Sequence, residues 1–265
     1  MGVTLLATLA AAVVALASPV DYVAGKQRAD GSFGDPQPTA WATLGLVAHG
    51  RDTGRAAGYL AEQRPQSQTD AALLALARAA AGDRPDDLLP RLRAHRPGKQ
   101  LNATIWTMLA LRQAGEPVPR ALTQSLLRAQ RPNGGWGWIA GGAPDSNDTA
   151  AALQALRAAG VRGGAIDRGV AFLRRHQNRD GGFELAKGRG SDTQSTAWAI
   201  QGLLAAGRQP GAPAFRYLLR MRRDDGSYRY NARYATTPLW ITAQVLPALA
   251  RKPFPLRQSS AKAGA

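Results

Sequence analysis

One short phrase recurs along this sequence, and its recurrence constrains the fold more than any single residue does. In each copy a Gln ends a helical stretch, an Asp-Gly or Asn-Gly turn follows, and an aromatic residue stands six positions after the Gln. Complete copies occupy residues 27–33, 130–136 and 177–183. A fourth copy, at 222–228, keeps the turn and the aromatic residue but has Arg in place of Gln. Such repetition is typical of architectures built from internal structural repeats.

Alignment on this phrase divides the chain into six repeats, each with two predicted helices. The first helices are amphipathic, with apolar residues at three- and four-residue steps, and they end at Gln27, Gln63, His95, Gln130, Gln177 and Arg222. The second helices are more apolar and open near Thr39, Thr69, Thr104, Thr149 and Thr196, with a sixth opening near Thr237 and Trp240 that is out of step. Most second helices are predicted to end at a glycine, namely Gly50, Gly82, Gly115, Gly160 or Gly207.

The alternation of half-polar and almost wholly apolar helices predicts two layers. The apolar helices would form an inner ring and the amphipathic helices an outer ring. Short connections favour antiparallel neighbours. We therefore predict an all-α fold, an α6/α6 toroid with two concentric rings of six helices. The residues expected to be buried include Leu153, Leu156, Trp198, Ile200 and Leu203.

The two ends of the chain differ in composition from the repeats. Residues 3–17 are apolar and end in Ala15-Leu-Ala17, which predicts a signal peptide over residues 1–17, cleavage before Ser18, and a secreted, periplasmic or cell-envelope protein. No Lys or Arg precedes this run, and a first structural helix is the alternative. The toroid is predicted to span residues 18–256, and residues 257–265 are predicted to be a disordered tail.

Composition excludes several classes of chemistry. The absence of Cys excludes disulfides, a thiolate zinc site, a thioester and a Cys nucleophile. The net charge of +16 is spread through every repeat, which favours a solvated basic surface or an anionic surface partner. Because no nucleic-acid module is present, no nucleic acid is expected. The three His residues have no metal partner at a useful spacing, so no metal and no cofactor are expected. No transmembrane segment is predicted, and a monomer is expected.

The repeated phrase resembles the QW repeats of squalene and hopene cyclases, members of the terpenoid cyclase and protein prenyltransferase superfamily. The resemblance covers essentially the whole chain after residue 17. It implies that each Gln side chain ties neighbouring repeats together by bonding a helix end. Protein prenyltransferase β subunits and thioester domains depend on Cys, which this chain lacks. Cyclases that process squalene place their cavity between two helical domains, whereas these repeats account for one.

The order of the helices in each predicted pair directs attention to one rim of the toroid. The N-termini of the inner helices, each with partial positive charge, converge there, and so do the long connectors 137–147, 184–194 and 229–237. We predict that this mouth binds a ligand with an apolar, isoprenoid-like body and an anionic head, because Trp side chains frame the lumen and the helix N-termini and Arg-rich connectors surround its opening. The candidate ligand-binding residues are Trp138, Asn147, Glu184, Asp192, Trp198, Tyr230, Tyr234 and Trp240. The inner-helix Trp residues could line the lumen or pack between the layers, and packing between the layers is the favoured interpretation.

Residues 145–150 resemble the D-x-D-D-T-A motif of class II cyclases, in which the second Asp protonates an alkene. Here that position is Asn147, whose amide has no such proton to give. Asp145 and Asp148 align with the flanking carboxylates. Asp148 is interpreted as a helix N-cap, and Asp192 as the analogous cap in repeat 5.

The missing acid favours a non-catalytic binding or scaffold protein. The alternative is a cyclase-type enzyme in which Asp145 or Asp148 takes over the acid's role. A third possibility is another enzyme on the same fold, such as one that acts on polysaccharides.

Overall fold

The computed structural model describes residues 17–256. Residues 1–16, which hold the body of the predicted signal peptide, and residues 257–265, the predicted disordered tail, lie outside the described residues.

The described chain forms twelve helices that alternate between an outer and an inner position. The outer helices are α1 (Pro19–Ala24), α3 (Ala56–Ala61), α5 (Leu89–Ala94), α7 (Arg120–Arg128), α9 (Gly164–Arg175) and α11 (Ala212–Met221). The inner helices are α2 (Pro36–Ala48), α4 (Gln68–Ala80), α6 (Leu101–Gln113), α8 (Ser146–Ala158), α10 (Thr193–Ala205) and α12 (Pro238–Leu249). Two-residue strands β1 (Phe183–Glu184) and β2 (Ser191–Asp192) pair antiparallel in the connector between α9 and α10.

The inner helices form a closed ring. Each packs against the next, and α12 packs back against α2. The outer helices lie against the inner ones, and the predicted core residues Leu153, Leu156, Trp198, Ile200 and Leu203 are all buried. The predicted α6/α6 toroid is therefore confirmed. Within residues 17–256, none of the helices has the length and apolar character needed to span a bilayer.

The inner helices end as the sequence predicts. Gly50, Gly82, Gly115, Gly160 and Gly207 all adopt positive φ. The residue after each glycine donates its backbone N–H to a carbonyl five positions back, as Arg208 does to Leu203 at 2.8 Å. This arrangement satisfies carbonyls that a helix end leaves without partners. Helix α12 ends in the same way with Arg251 in the left-handed conformation instead of glycine.

A threonine in the inner helix anchors the aromatic residue of the repeated phrase. The backbone N–H groups of Phe33, Trp136, Phe183 and Tyr228 donate to the Oγ1 atoms of Thr39, Thr149, Thr196 and Thr242, at 2.9–3.0 Å. The sixth inner helix opens at Pro238 with Thr237 as its N-cap, so the opening predicted near Thr237 and Trp240 is confirmed, and its anchoring threonine is Thr242. The sixth repeat is out of step, as predicted, because Thr242 lies one position further along its helix than its counterparts do.

The anchor side chains join neighbouring repeats. Gln130 Nε2 donates to the carbonyl of Gly134 in its own turn, at 2.9 Å, and to that of Ala165 at the start of α9, at 2.8 Å. Gln27 does the same with Gly31 and Thr53. In repeat 6 the guanidinium of Arg222 reaches the carbonyl of Ala17, just before α1. The last repeat is thus tied to the first.

The segment after α12, residues 251–256, turns back into the far end of the ring. Phe254 is only 2% exposed, and its backbone N–H donates to Gln154 Oε1 at 2.8 Å. Gln113 pairs with both the N–H and the carbonyl of Leu256, at 2.6 and 3.0 Å. We call residues 251–256 the plug, because they fill the end of the lumen opposite the helix N-termini.

Candidate functional site

A cavity of about 350 Å³ opens at the rim where the inner helices begin. We call it the mouth cavity. Its upper tier takes one residue from the first turn of each inner helix, namely Gln37, Thr69, Asn102, Asn147, Gln194 and Trp240. Its lower tier takes the residue four positions later, namely Trp41, Leu73, Trp106, Ala151, Trp198 and Gln244. Residues four apart share one face of a helix, so each helix presents the same face to the lumen.

Three indole rings form the floor of the mouth cavity. The centroids of Trp41, Trp106 and Trp198 lie 5.4–5.6 Å from one another in edge-to-face contacts. Phe254 of the plug lies behind them, 6.2 Å from Trp41 and 6.3 Å from Trp198. The favoured interpretation that these Trp residues pack between the layers is therefore wrong. The period of a helix fixes which residues share a face but not which face looks inward.

A hydrogen-bond network links repeats 5 and 6 at the edge of this floor. Trp198 Nε1 donates to Gln244 Oε1 at 2.8 Å, and Gln194 Nε2 donates to the same oxygen at 2.9 Å. An indole N–H can only donate, so it fixes which end of the Gln244 amide is the oxygen. The other end, Nε2, is buried and has no partner.

Two carboxyl groups meet on the wall formed by repeat 4. Asp145 is the N-cap of α8, because its Oδ1 accepts from the backbone N–H of Asp148 at 2.8 Å. The interpretation of Asp148 as the cap is wrong by one helical turn. Asp148 is 7% exposed. Burial, followed by the Asp145 charge and a hydrogen bond to Asp145, raises the pKa of Asp148 to about 8, against a smaller opposing effect from Asn102. Asp148 is thus mostly a neutral acid at pH 7.

The other predicted residues divide between the cavity lining and its supports. Trp138 and Asn147 line the mouth cavity together with Asp145 and Asp148. Asp192 caps α10 as predicted, accepting from the backbone N–H of Ser195 at 2.7 Å. The Ser195 hydroxyl also donates to Asp192, at 2.8 Å. Burial raises the pKa of Asp192 despite these two hydrogen bonds.

Three further predicted residues lie in the rim connectors and do not line the cavity. Glu184 is buried and accepts from the N–H groups of Gly188 and Gly190, which shapes the β1–β2 loop. Tyr230 accepts the backbone N–H of Thr193 through its carbonyl, at 2.8 Å. Tyr234 is 52% exposed.

The ionisable groups of the lining are acidic rather than basic. Among the described residues that line the mouth cavity there is no Arg or Lys, and its ionisable members are Asp145 and Asp148. The Arg-rich connectors expected to receive an anionic head therefore do not line this cavity. Sequence reasoning missed Gln37, Asn102, Gln194 and Gln244. Superposing the inner helices on their shared Thr would have identified them, since they recur at fixed offsets from it.

The His residues make local contacts. His49 Nε2 lies 2.9 Å from the Leu246 carbonyl, and His95 Nε2 lies 3.3 Å from Thr104 Oγ1. His176 stacks on Phe172 with ring centroids 4.3 Å apart. In the part of the chain that the structure describes, no group of three His, Cys, Asp or Glu side chains is arranged to hold a metal ion.

More than half of the chain, residues 103–257, matches a family model described as the squalene-hopene cyclase C-terminal domain. The chain belongs to this family. The resemblance predicted from the repeats is thereby confirmed, and the family match includes the Asp145–Asp148 segment and the whole of the inner helices α8, α10 and α12. A search of curated proteins found no match.

Solved structures share the fold of this squalene-hopene cyclase family member. A variant of the type II terpene cyclase MstE from Scytonema, in complex with geranylgeranyl dihydroxybenzoate, has a TM-score of 0.70 at 16% identity, over 88% of this chain and 95% of that one. A protein from Actinoplanes has a TM-score of 0.66 at 19% identity, over 88% and 97%. The ent-copalyl diphosphate synthase from Streptomyces platensis has a TM-score of 0.58 at 21% identity, over 82% of this chain and 50% of that one. At these identities the similarity establishes the fold.

Proposed function

We propose that the protein binds a short, apolar, isoprenoid-like molecule in the mouth cavity and does not transform it. Three indole rings form an apolar floor, and the tier above offers amide and carboxyl groups. Small-molecule sites combine an apolar lining with a few placed polar groups, and they begin at about 300 Å³. The volume of about 350 Å³ suits a short chain. A relative with the same fold, MstE, is described with a geranylgeranyl substrate.

The observation that carries the non-catalytic part of this proposal is the state of the acid motif. Protonating a carbon–carbon double bond requires an unusually strong acid. The family's acid position is Asn147, and the neighbouring Asp148 has a pKa raised to about 8. A raised pKa describes a carboxyl group that holds its proton more tightly than usual. Asp148 is thus a weaker acid than an ordinary carboxyl group, which is the wrong direction for alkene protonation.

One observation favours a second candidate, a cyclase-type enzyme. Asp148 is mostly protonated at pH 7 and lines the cavity, so it can reach a bound molecule with a proton still in place. This candidate requires a substrate more basic than a simple alkene.

The test combines binding and product analysis. The probes are geraniol and farnesol, binding is followed by quenching of Trp fluorescence, and products are analysed by mass spectrometry. We expect saturable binding and no cyclic product from the wild type. A cyclic product from the wild type would establish the second candidate. Product only from Asn147→Asp would show that the cavity still accepts a cyclase substrate and that the acid alone is missing.

A cavity-filling variant separates binding in the mouth from binding elsewhere. Ala151 lies in the lower tier, so Ala151→Leu should fill the cavity and weaken binding at least tenfold. Ala158→Leu makes the same change on the same helix, at the far end of α8, and should bind as the wild type does. Saturable binding that is unaffected by Ala151→Leu, or no binding by the wild type, would refute the proposed function.

A further inference from the structure

A second cavity, of about 840 Å³, lies at the far end of the ring, where α6, α8 and α10 end. We call it the far cavity. All six residues of the plug contribute to its lining. Among the described residues, it shares no lining residue with the mouth cavity.

Every ionisable side chain among the described residues that line the far cavity is basic. These side chains are Arg112 and Arg157 from the ring and Arg251 and Lys252 from the plug. Arg157 is partly exposed and the other three are exposed, so all four are accessible to solutes. The mouth cavity has the opposite character, since its ionisable groups are carboxyl groups.

No carboxylate in the described part of the chain neutralises these charges. None of the four side chains forms an ion pair, whereas Arg78, Arg84 and Arg93 all do. Arg112 donates to the backbone carbonyl of Glu116, at 3.4 Å, and not to its carboxylate. The positive charge at the far cavity is therefore available to an anion from solution.

Neutral groups hold two of the guanidinium groups. Arg157 donates to the carbonyls of Ala205 and Val161, at 3.1 and 2.8 Å, so it is positioned before a ligand arrives, which lowers the entropic cost of binding. The guanidinium of Arg251 lies 5.0 Å from the centroid of the Phe215 ring, so it adds charge at the edge of the cavity and leaves direct contacts to the other three. The three helix ends carry partial negative charges of about half a unit each, which four full positive charges outweigh.

We propose that the far cavity binds a compound with two or more phosphate groups, held by Arg112, Arg157 and Lys252. Phosphate oxygens accept hydrogen bonds from both guanidinium and ammonium groups, and a multiply charged anion matches a site with several cations. The volume lies within the range of small-molecule sites. Because Lys252 belongs to the plug and the two Arg residues to the ring, the bound anion joins the two. The site does not depend on the ligand proposed for the mouth cavity.

The experiment is isothermal titration calorimetry with inorganic triphosphate and inorganic phosphate at constant ionic strength. The wild type should bind triphosphate at one saturable site, about tenfold or more tighter than phosphate. Arg112→Gln combined with Lys252→Gln should weaken triphosphate binding by about tenfold or more, because two charged donors are lost. Arg112→Lys combined with Lys252→Arg keeps both charges and should stay within about threefold of the wild type.

The matched control is Arg131→Gln combined with Arg189→Gln. It removes the same charge from two exposed side chains that do not line the far cavity, and should weaken binding by less than about twofold. Far-UV circular dichroism checks the fold of each variant. The absence of a saturable site, or equal weakening by the two neutralising double variants, would overturn the proposal. Either result would leave only the general attraction of anions to a chain with a net charge of +16.

Vesicles distinguish a lipid headgroup from a free phosphate compound. Cardiolipin carries two phosphate groups, so its vesicles present the same chemistry on a membrane surface. Competition with triphosphate by cardiolipin vesicles, but not by phosphatidylcholine vesicles, would identify the source as a lipid headgroup. Triphosphate binding that both kinds of vesicle leave unchanged would identify the source as a free phosphate compound.

Discussion

In repeat 4 the anchor Gln joins neighbouring helix pairs through backbone carbonyls, whereas in repeats 2 and 3 ion pairs join them. On the first side, Gln130 bonds the carbonyl of Ala165 in the next outer helix, at 2.8 Å. On the second side, Gln63 bonds only the carbonyl of Tyr59 in its own helix, at 2.9 Å. The short connector from α3 to α4 has no Asp-Gly turn through which Gln63 could reach a neighbour.

Ion pairs take over where the phrase has degenerated. The guanidinium of Arg78 lies 2.6 Å from Asp83 and 2.8 Å from Asp87, and its side chain is only 7% exposed. Arg84 and Arg93 both contact Glu116 at the start of the next connector, at 2.8 and 2.9 Å. The repeated phrase is therefore one way of joining helix pairs, and ion pairs can replace it. The two solutions respond differently to substitution and to pH.

The largest expected effect concerns the buried acid on the first side. The pKa of Asp148 is about 8 in the folded protein against 3.8 for an ordinary Asp. Above about pH 4 the unfolded chain loses this proton while the folded chain keeps it. Stability therefore falls as pH rises from about 4 to 8 and levels off above that. Asp148→Asn should remove this decline and exceed the wild type by several kcal/mol at pH 9, as measured by urea denaturation across pH.

The matched control for this pH prediction lies on the second side. Arg93 and Arg84 lower the pKa of Glu116 below its ordinary value of 4.5. Its contribution is present above that value and is lost as pH falls through the lower, folded pKa. Glu116→Gln should thus change how the free energy of unfolding depends on pH below about 4.5 and leave its dependence at alkaline pH unaltered. An Asp148→Asn profile parallel to that of the wild type would show that Asp148 is ionised in the folded state.

A glycine substitution tests the close contact between repeats on the first side. Gly134 has φ of +90°, and a Cβ there would collide with the carbonyl oxygen of Arg168 in the next outer helix. Gly134→Ala should cost about 3 kcal/mol, from backbone strain and overpacking together. Gly82→Ala has almost the same φ, +88°, but meets open space, and should cost about 1 kcal/mol. Equal losses of stability for the two variants in chemical denaturation would mean that the close packing against Arg168 adds no cost to the backbone strain of a positive φ.

An arginine substitution tests the charged junction. Arg78→Met keeps the apolar part of the side chain but leaves Asp83 and Asp87 without their shared partner, so we expect a loss of about 2 kcal/mol. Arg51→Met breaks an exposed pair with Asp21 and should cost less than about 0.5 kcal/mol. Both variants are measured by thermal and urea unfolding. A loss of stability for Arg78→Met no greater than that for Arg51→Met would show that the ion pairs of Arg78 do not stabilise the junction.

The smallest effect concerns the anchor residues themselves. Gln130→Ala removes hydrogen bonds to two backbone carbonyls and should cost about 1–2 kcal/mol. Gln63→Ala removes one bond within its own helix and should cost less than about 0.5 kcal/mol. The difference between the two urea midpoints measures what the intact phrase contributes. If the midpoints coincide, the phrase has no stabilising role in repeat 4.

The sequence predicted those features that depend on local pattern. The helix pairs follow from apolar periodicity, the helix ends from Gly50 and its equivalents, and the cap at Asp192 from its residue type. The direction of the Trp41 indole could not be predicted in this way, because it depends on how far each helix rotates when the ring closes. The hydrogen-bond partners of Gln244 could not be predicted from local pattern either, since Trp198 and Gln194 belong to the neighbouring repeat. The burial of Phe254 follows no periodic pattern, because it lies beyond the last helix.

The plug has a kinetic consequence. Within residues 17–256, Phe254 is seated behind the indole floor and Leu256 is held by Gln113, so the far end of the lumen is closed and the toroid is a well and not a tunnel. A molecule in the mouth cavity must leave by the route through which it entered. Binding and release are therefore controlled by the same few rim residues. A substitution that narrows the rim should slow association and dissociation together, so that residence time changes while affinity stays nearly constant.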